Sequence, residues 1–128
     1  MDKGRGKMKS YKELQIYQRG YEAAKACYRM TEEYPESEKY GVTNQMRRAA
    51  LSIPLNIAEG FAKRESQSEF KRFLMMATGS ANEMQVLIDF SYDLGYIEKE
   101  KYEKAKREYE EIGKMINGFI KTLKEKNL

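Results

Sequence analysis

The 128-residue chain has no histidine and no tryptophan, one cysteine and two prolines. Lacking histidine, it lacks the commonest acid/base group near neutral pH and the commonest metal ligand. The lone Cys27 excludes an internal disulfide, and its place on an apolar stripe suits an inert thiol better than a nucleophile. There is no glycine-rich phosphate loop, metal-spaced cluster or partnered carboxylate pair, and the TGS at 78–80 falls mid-helix, where close packing accounts for it. These absences argue against an enzyme, a cofactor or a metal. Long apolar runs are missing as well. The longest uncharged stretches, AALSIPLNIA and FLMMATGSAN, have ten residues each, well short of a membrane span. The basic N-terminus carries no apolar region behind its charges, so no secretory signal is read, and the expected location is the cytoplasm.

Apolar residues make up 41% of the chain and charged ones 34%, which with so little proline suits a soluble helical protein. The length is that of one domain. The net charge of +4 is unevenly placed: residues 1–12, MDKGRGKMKSYK, hold five basic residues and one acid, and the remainder balances. The expected organisation is therefore a flexible basic arm over 1–10 and a helical domain over 11–128. The arm can touch phosphate, though short basic starts are also common on solvated termini.

Four helices are predicted. In the first, Leu14, Tyr17, Tyr21, Ala24, Tyr28 and Thr31 recur at spacings of 3 and 4, with Ile16, Gly20, Ala23, Cys27, Met30 and Tyr34 beside them, and Pro35 ends the helix. The second starts near Val42 or Thr43 and runs to about Lys63, with Met46, Ala49, Ile53, Ile57 and Gly60 toward the core. Ser66 caps the third, three residues before Glu69. Phe70, Phe73, Ala77, Ala81, Met84, Ile88 and Ser91 form its main stripe, and Gly95 stops it. Met76, Val86 and Phe90 lie about 120° from that stripe, a second apolar face that implies central placement or a subunit contact. The fourth, from about Glu98 to Lys124, carries Tyr102, Ala105, Tyr109, Ile112, Ile116, Phe119 and Leu123 at heptad spacing. The short connections predict an antiparallel, up-down-up-down four-helix bundle that self-associates.

The stretch RRAALSIPLNIAEGFAKRE, residues 47–65, is unusual for a helix. Pro54 removes the donor for the Ala50 carbonyl at a cost of about 3 kcal/mol and predicts a kink, with Ser52, Asn56 or a water supplying another donor. Gln45, Arg48, Ser52, Asn56 and Glu59 fall on one ridge, between the core stripe and the strip Leu51, Leu55, Ala58, Ala62. Such a ridge is expected to be a polar network that fixes packing register, with a ligand or RNA groove as the alternative.

QMRRAALSIPLNIAEGFAKRE, EFKRFLMMATGSANEM and LGYI together resemble the bacterial four-helix-bundle proteins first noticed in intervening sequences of the large ribosomal RNA gene. The likeness runs from about Leu14 to Leu123. It implies a four-helix fold, a ring-shaped homopentamer and no established enzymatic activity; relatives include nucleic-acid-binding accessory proteins of diversity-generating retroelements. By position, the motif's paired arginines are Arg47 and Arg48, its turn residues Pro54, Asn56, Glu59 and Gly60, and its basic hinge Lys63 and Arg64. The arm before Tyr11 is not part of it.

The leading expectation is a homo-oligomer, a pentamer by resemblance, that binds structured RNA or other nucleic acid through Arg47, Lys63, Arg64, Lys71 and Arg72, with the N-terminal lysines in support. No RNA-recognition signature accompanies them. The alternative is a protein-interaction scaffold that presents Met75, Met76, Val86 and Phe90.

Overall fold

The Ser66 hydroxyl accepts a hydrogen bond from the Glu69 N–H at 3.2 Å, which starts one helix as its spacing predicts, and Gly95, at φ 79°, follows the end of that same helix. The computed structural model describes residues 8–126. Among these it has four α-helices and no strand: α1, Gln15–Thr31; α2, Val42–Ala62; α3, Gln67–Asp93; and α4, Lys99–Lys126. Short 3-10 turns at Tyr11–Glu13 and Glu36–Glu38 precede α1 and α2. Most of the expected basic arm, residues 1–7, lies outside the described residues. Its last part is not loose: Met8 packs against the core, and Ser10 caps the first turn through the Lys12 N–H.

The core is one layer of side chains from all four helices. Met46, Ile53, Ile57, Met84, Ile88, Ile112 and Ile116 are fully buried, as their spacing predicts; in α3 Leu74 is fully buried as well, while its neighbour Phe73, expected in the core stripe, is half-buried. Helix α1 differs. Its buried residues are Ile16, Gly20, Ala23, Ala24, Cys27 and Thr31, largely the stripe expected to be secondary, while Tyr21 and Tyr28 stay exposed. Small residues let α1 come close to its neighbours, and tyrosines on that line would have held it away.

Helix α2 makes the closest approaches. A methyl group added at Gly20 would stand 2.9 Å from Ile53 Cγ2 and 3.5 Å from Pro54 Cδ; one added at Gly60 would stand 3.0 Å from Phe73 Cβ and 3.3 Å from the Phe70 carbonyl oxygen. The proline is thus a buried packing surface against α1, and α2 continues through it as one helix. Neither expected donor reaches the Ala50 carbonyl. Ser52 Oγ donates to Ala49 O at 3.0 Å, and Asn56 Nδ2 donates to Ser52 O at 2.8 Å.

Polar ties join the helices mainly near the periphery. Arg19 makes a two-pronged contact with Glu108, 2.9 Å on each arm, between α1 and α4. Deeper in, the Tyr109 hydroxyl donates to Ala23 O at 3.2 Å. Asp89 accepts from Lys106 Nζ at 2.9 Å and the Tyr102 hydroxyl at 2.8 Å; the lysine first and the tyrosine second hold its carboxyl below the usual range. At the end where both long loops lie, Glu38 accepts from the Val42 N–H at 3.0 Å and the Tyr96 hydroxyl at 2.7 Å. The backbone bond chiefly, then the tyrosine, lowers the Glu38 pKa.

Replacing Gly20 by alanine should destabilise the protein by about 1–2 kcal/mol, because overpacking exceeds the gain in helix propensity. Gly118→Ala, where an added methyl meets nothing within 4 Å, should instead stabilise by up to about 1 kcal/mol. Thermal melts of the two variants should move in opposite directions. Because the Glu38 pKa is depressed, the tie is fully formed above the ordinary value of 4.5 and is lost as pH falls below it through the folded value. A melting series across that range should therefore fall more steeply for the native protein than for Glu38→Gln.

Candidate nucleic-acid interface

Helix α2 ends in FAKRE, and its last carbonyls would be orphaned without donors. The Lys63 and Arg64 N–H groups bond back to Gly60 O and Phe61 O at 3.0 and 3.1 Å, and Arg64 adds a side-chain bond to Phe61 O at 2.9 Å. Its guanidinium also lies 4.0 Å above the Phe61 ring. Phe61, Phe70 and Phe119 form an edge-to-face cluster beneath, with centroids 6.4 and 5.7 Å apart. Gln67 Nε2 ties the connection to α4 through Leu123 O at 2.7 Å. The short turn between α2 and α3 is thus a firm platform that carries cations.

Of the five expected phosphate-binding residues, Lys63 and Arg64 sit in this turn, and Lys71 and Arg72 follow it near the start of α3. Lys63 pairs loosely with Glu59 at 3.6 Å, and Arg72 grips Glu69 through Nε and a terminal nitrogen at 3.2 and 3.0 Å. Hydrogen bonding to Arg72 is the chief cause that lowers the Glu69 pKa. The Arg72 guanidinium also rests 4.5 Å from the Phe73 ring. Lys71 is half-buried and makes no ion pair among the described residues. Because the Lys63 and Arg72 pairs are solvent-exposed, each holds its cation in place at little energetic advantage, and an arriving phosphate can displace the carboxylate.

Arg47 is elsewhere. It lies 16 residues before Lys63 in α2, about 24 Å along the axis. Its Nε donates to Thr31 Oγ1 at 2.9 Å, a terminal nitrogen donates to Tyr28 O at 3.1 Å, and the guanidinium covers the Tyr28 ring at 4.5 Å. A cation on the last carbonyls of α1 satisfies orphan acceptors and complements the helix dipole. The structure therefore separates Arg47 from the hinge cations and gives it a capping position.

The polar ridge of α2 is only partly joined. Ser52 and Ser80 share a hydroxyl hydrogen bond across the α2–α3 seam, and Gln45 Nε2 reaches Glu83 at 3.4 Å. Asn56 stays bonded within α2. Arg48 and Glu59 are exposed, and Glu59 pairs with Lys63 rather than with Arg48. The expectation of an enclosed network fails for these two because the second apolar strip is itself uncovered: Leu55 is 63% exposed. On α3, Met75, Met76, Val86 (66% exposed) and Phe90 likewise face out, so the second apolar face predicted for this helix is real and uncovered by its own chain.

Chemically reactive groups are subdued. Burial pushes the Cys27 thiol up to about 11, and the nearby Arg47 charge only partly offsets this. Cys27 lines a cavity of about 630 Å³ between α1 and α4, near Met30, Met84 and Ala105. Sequence spacing did not anticipate the Arg19–Glu108, Glu38–Tyr96 or Asp89–Lys106 pairs; each joins residues far apart in the chain, and no local pattern marks them.

These features define a class, an all-α helical bundle with a charged helix connection. The family model described as 23S rRNA-intervening sequence protein matches residues 12–118, and the chain belongs to that family. It is also similar to a solved structure, a protein with unknown function from the S23 ribosomal protein family of Bacteroides thetaiotaomicron. The two are 26% identical with a TM-score of 0.73, over 83% of this chain and 98% of that one. No curated protein matches the chain. Among the described residues no helix is long and apolar enough to cross a membrane.

Substituting Arg47 by alanine should cost about 1–2 kcal/mol as its charge-assisted hydrogen bonds disappear, which chemical denaturation would measure. Arg47→Lys should recover only part of that stability, since an ammonium cannot reproduce the forked geometry of the guanidinium.

Proposed function

We propose that this chain is a non-enzymatic, cytoplasmic homo-oligomer, an antiparallel bundle assembled as a pentameric ring, that binds structured RNA or other nucleic acid through the α2–α3 connection. The observation that carries the reading is the group of cations at this connection: Arg64 and Arg72 lie over aromatic rings, and the only carboxylates on Lys63 and Arg72 are exposed ones. Contacts of Met46 with Ser91 and of Gly60 with Phe70 support antiparallel pairing of α2 and α3.

The uncovered apolar residues Leu51, Leu55, Met75, Met76, Val86 and Phe90 favour self-association, because a monomer gains nothing by leaving them in water. Repetition around a ring would multiply a weak cationic surface into one that binds with avidity. The same apolar face favours the second reading, a scaffold whose oligomer engages a protein partner through Met75, Met76, Val86 and Phe90.

Binding of a structured RNA hairpin across a salt series, with assembly mass followed by light scattering, separates the two. The reading expects affinity to fall steeply with salt. A Lys63→Ala, Arg64→Ala, Lys71→Ala variant of unchanged mass should flatten the logarithmic slope by roughly one for each phosphate it no longer neutralises. An absence of binding at low salt would remove the nucleic-acid reading and favour the scaffold.

A further inference from the structure

Helix α1 and the turn before it carry a row of aromatic rings, of which Tyr11 and Tyr17 pack partly against the core and Tyr21 and Tyr28 stay exposed. Tyr17, Tyr21 and Tyr28 share one flank, spanning about 16 Å from first to last. Tyr11 and Tyr17 meet edge to face with centroids 4.8 Å apart, and Tyr17 and Tyr21 stack at 5.7 Å with their planes 26° apart. Tyr21 is 45% exposed and Tyr28 37%, while the buried side of α1 is formed by small and aliphatic residues.

Cations accompany the rings. Lys25 Nζ lies 5.4 Å from the Tyr21 ring centre, and the Arg47 guanidinium 4.5 Å from that of Tyr28. Lys25 shares its charge with Glu22 at 3.3 Å, an exposed pair that a phosphate can displace. The row begins at Tyr11, within the segment 1–12 that carries the chain's whole net charge of +4.

Two exposed rings, Tyr21 and Tyr28, each with a cation beside it, match a ligand that carries planar rings and anions. Bases within a duplex are stacked on one another and offer only their edges, so a row of rings has no partner there. Unpaired bases can stack on tyrosine and on an arginine plane while their phosphates meet lysine.

We propose that the tyrosine row of α1 is a stacking platform for a single-stranded stretch of RNA or DNA, the unpaired part of the nucleic acid assigned above. The inference rests on that reading and adds the mode of recognition. The hinge cations then hold the backbone of the structured part, and α1 holds bases that leave it.

The test measures binding of oligo(U), oligo(dT) and a duplex, each about a dozen nucleotides long, to the intact protein and to Tyr21→Ala, Tyr21→Phe and Lys25→Gln. With no tryptophan present, emission comes from the ten tyrosines, and the part of its quenching that Tyr21→Ala removes reports stacking on that ring. The single strands are expected to bind more tightly than the duplex and to quench that emission. Tyr21→Ala should weaken single-strand binding by about tenfold, Tyr21→Phe should retain it, and melting curves should show both folded. Lys25→Gln should weaken it less and reduce its salt dependence. Oligo(U) against oligo(dT) shows whether the platform distinguishes RNA from DNA.

Equal binding by the native protein and Tyr21→Ala, with weakening only in the hinge-cation variant, would overturn the platform and leave the nucleic-acid reading standing. Failure of every probe, the RNA hairpin included, would overturn both. A change of assembly mass in Tyr21→Ala would make the row a subunit contact and likewise overturn the platform.

Discussion

The rest of the structure depends on how closely α2 lies against its two neighbours. Gly20 admits Ile53 and Pro54 on one side, and Gly60 meets Phe70 and Phe73 on the other. An added methyl would collide with Ile53 at Gly20 and press against Phe73 and Phe70 at Gly60, so two of the three helix pairings that involve consecutive elements depend on a glycine at the contact. Pro54 makes sense in this setting. Its missing N–H costs one helical bond, while its ring is buried as an apolar surface. With α2 fixed, Ser52 meets Ser80 at the seam, Leu51 and Leu55 turn outward, and the hinge cations project from a short, well-tied turn.

Electrostatic interactions act at the edges of this frame. Arg47 covers the end of α1, Glu38 and Tyr96 join the two loops at one end, and Arg19 with Glu108 ties α1 to α4. Each is partly or wholly open to water, so none carries the desolvation cost of a buried ion pair. They orient helices that apolar packing already holds. The same exposure leaves the cations at the α2–α3 connection available to a stronger anion than the carboxylates they now touch.

Much of this is legible in the sequence. The extents of α2 and α3, the Ser66 cap, the Gly95 stop and the fully buried residues Met46, Ile53, Met84, Ile88, Ile112 and Ile116 all follow from spacing and local chemistry. Helix α1 is less legible because two stripes at adjacent angles both fit a helical period. Which one turns inward depends on how near α2 comes, and the small residues Gly20, Ala23 and Ala24 decide it. Arg47 and Arg48 read as one pair in sequence, yet a helix sends adjacent residues about 100° apart. One reaches α1 and the other faces solvent. Glu59 reads as a buried charge only if Leu55 and Ala62 are covered, and they are exposed.

The bundle has two unlike surfaces, charged at one connection and apolar along the outer faces of α2 and α3, and the proposed function assigns polyanion binding to the first and assembly to the second. Hydrogen–deuterium exchange of the intact protein, with and without a structured RNA bearing a single-stranded tail, addresses this division directly. The account expects RNA to protect the α2–α3 turn with the start of α3, residues 63–72, and the flank of α1 while leaving the exchange of α3 around Val86 unchanged. Protection confined to the Met75–Phe90 stretch, with the turn unaffected, would contradict it.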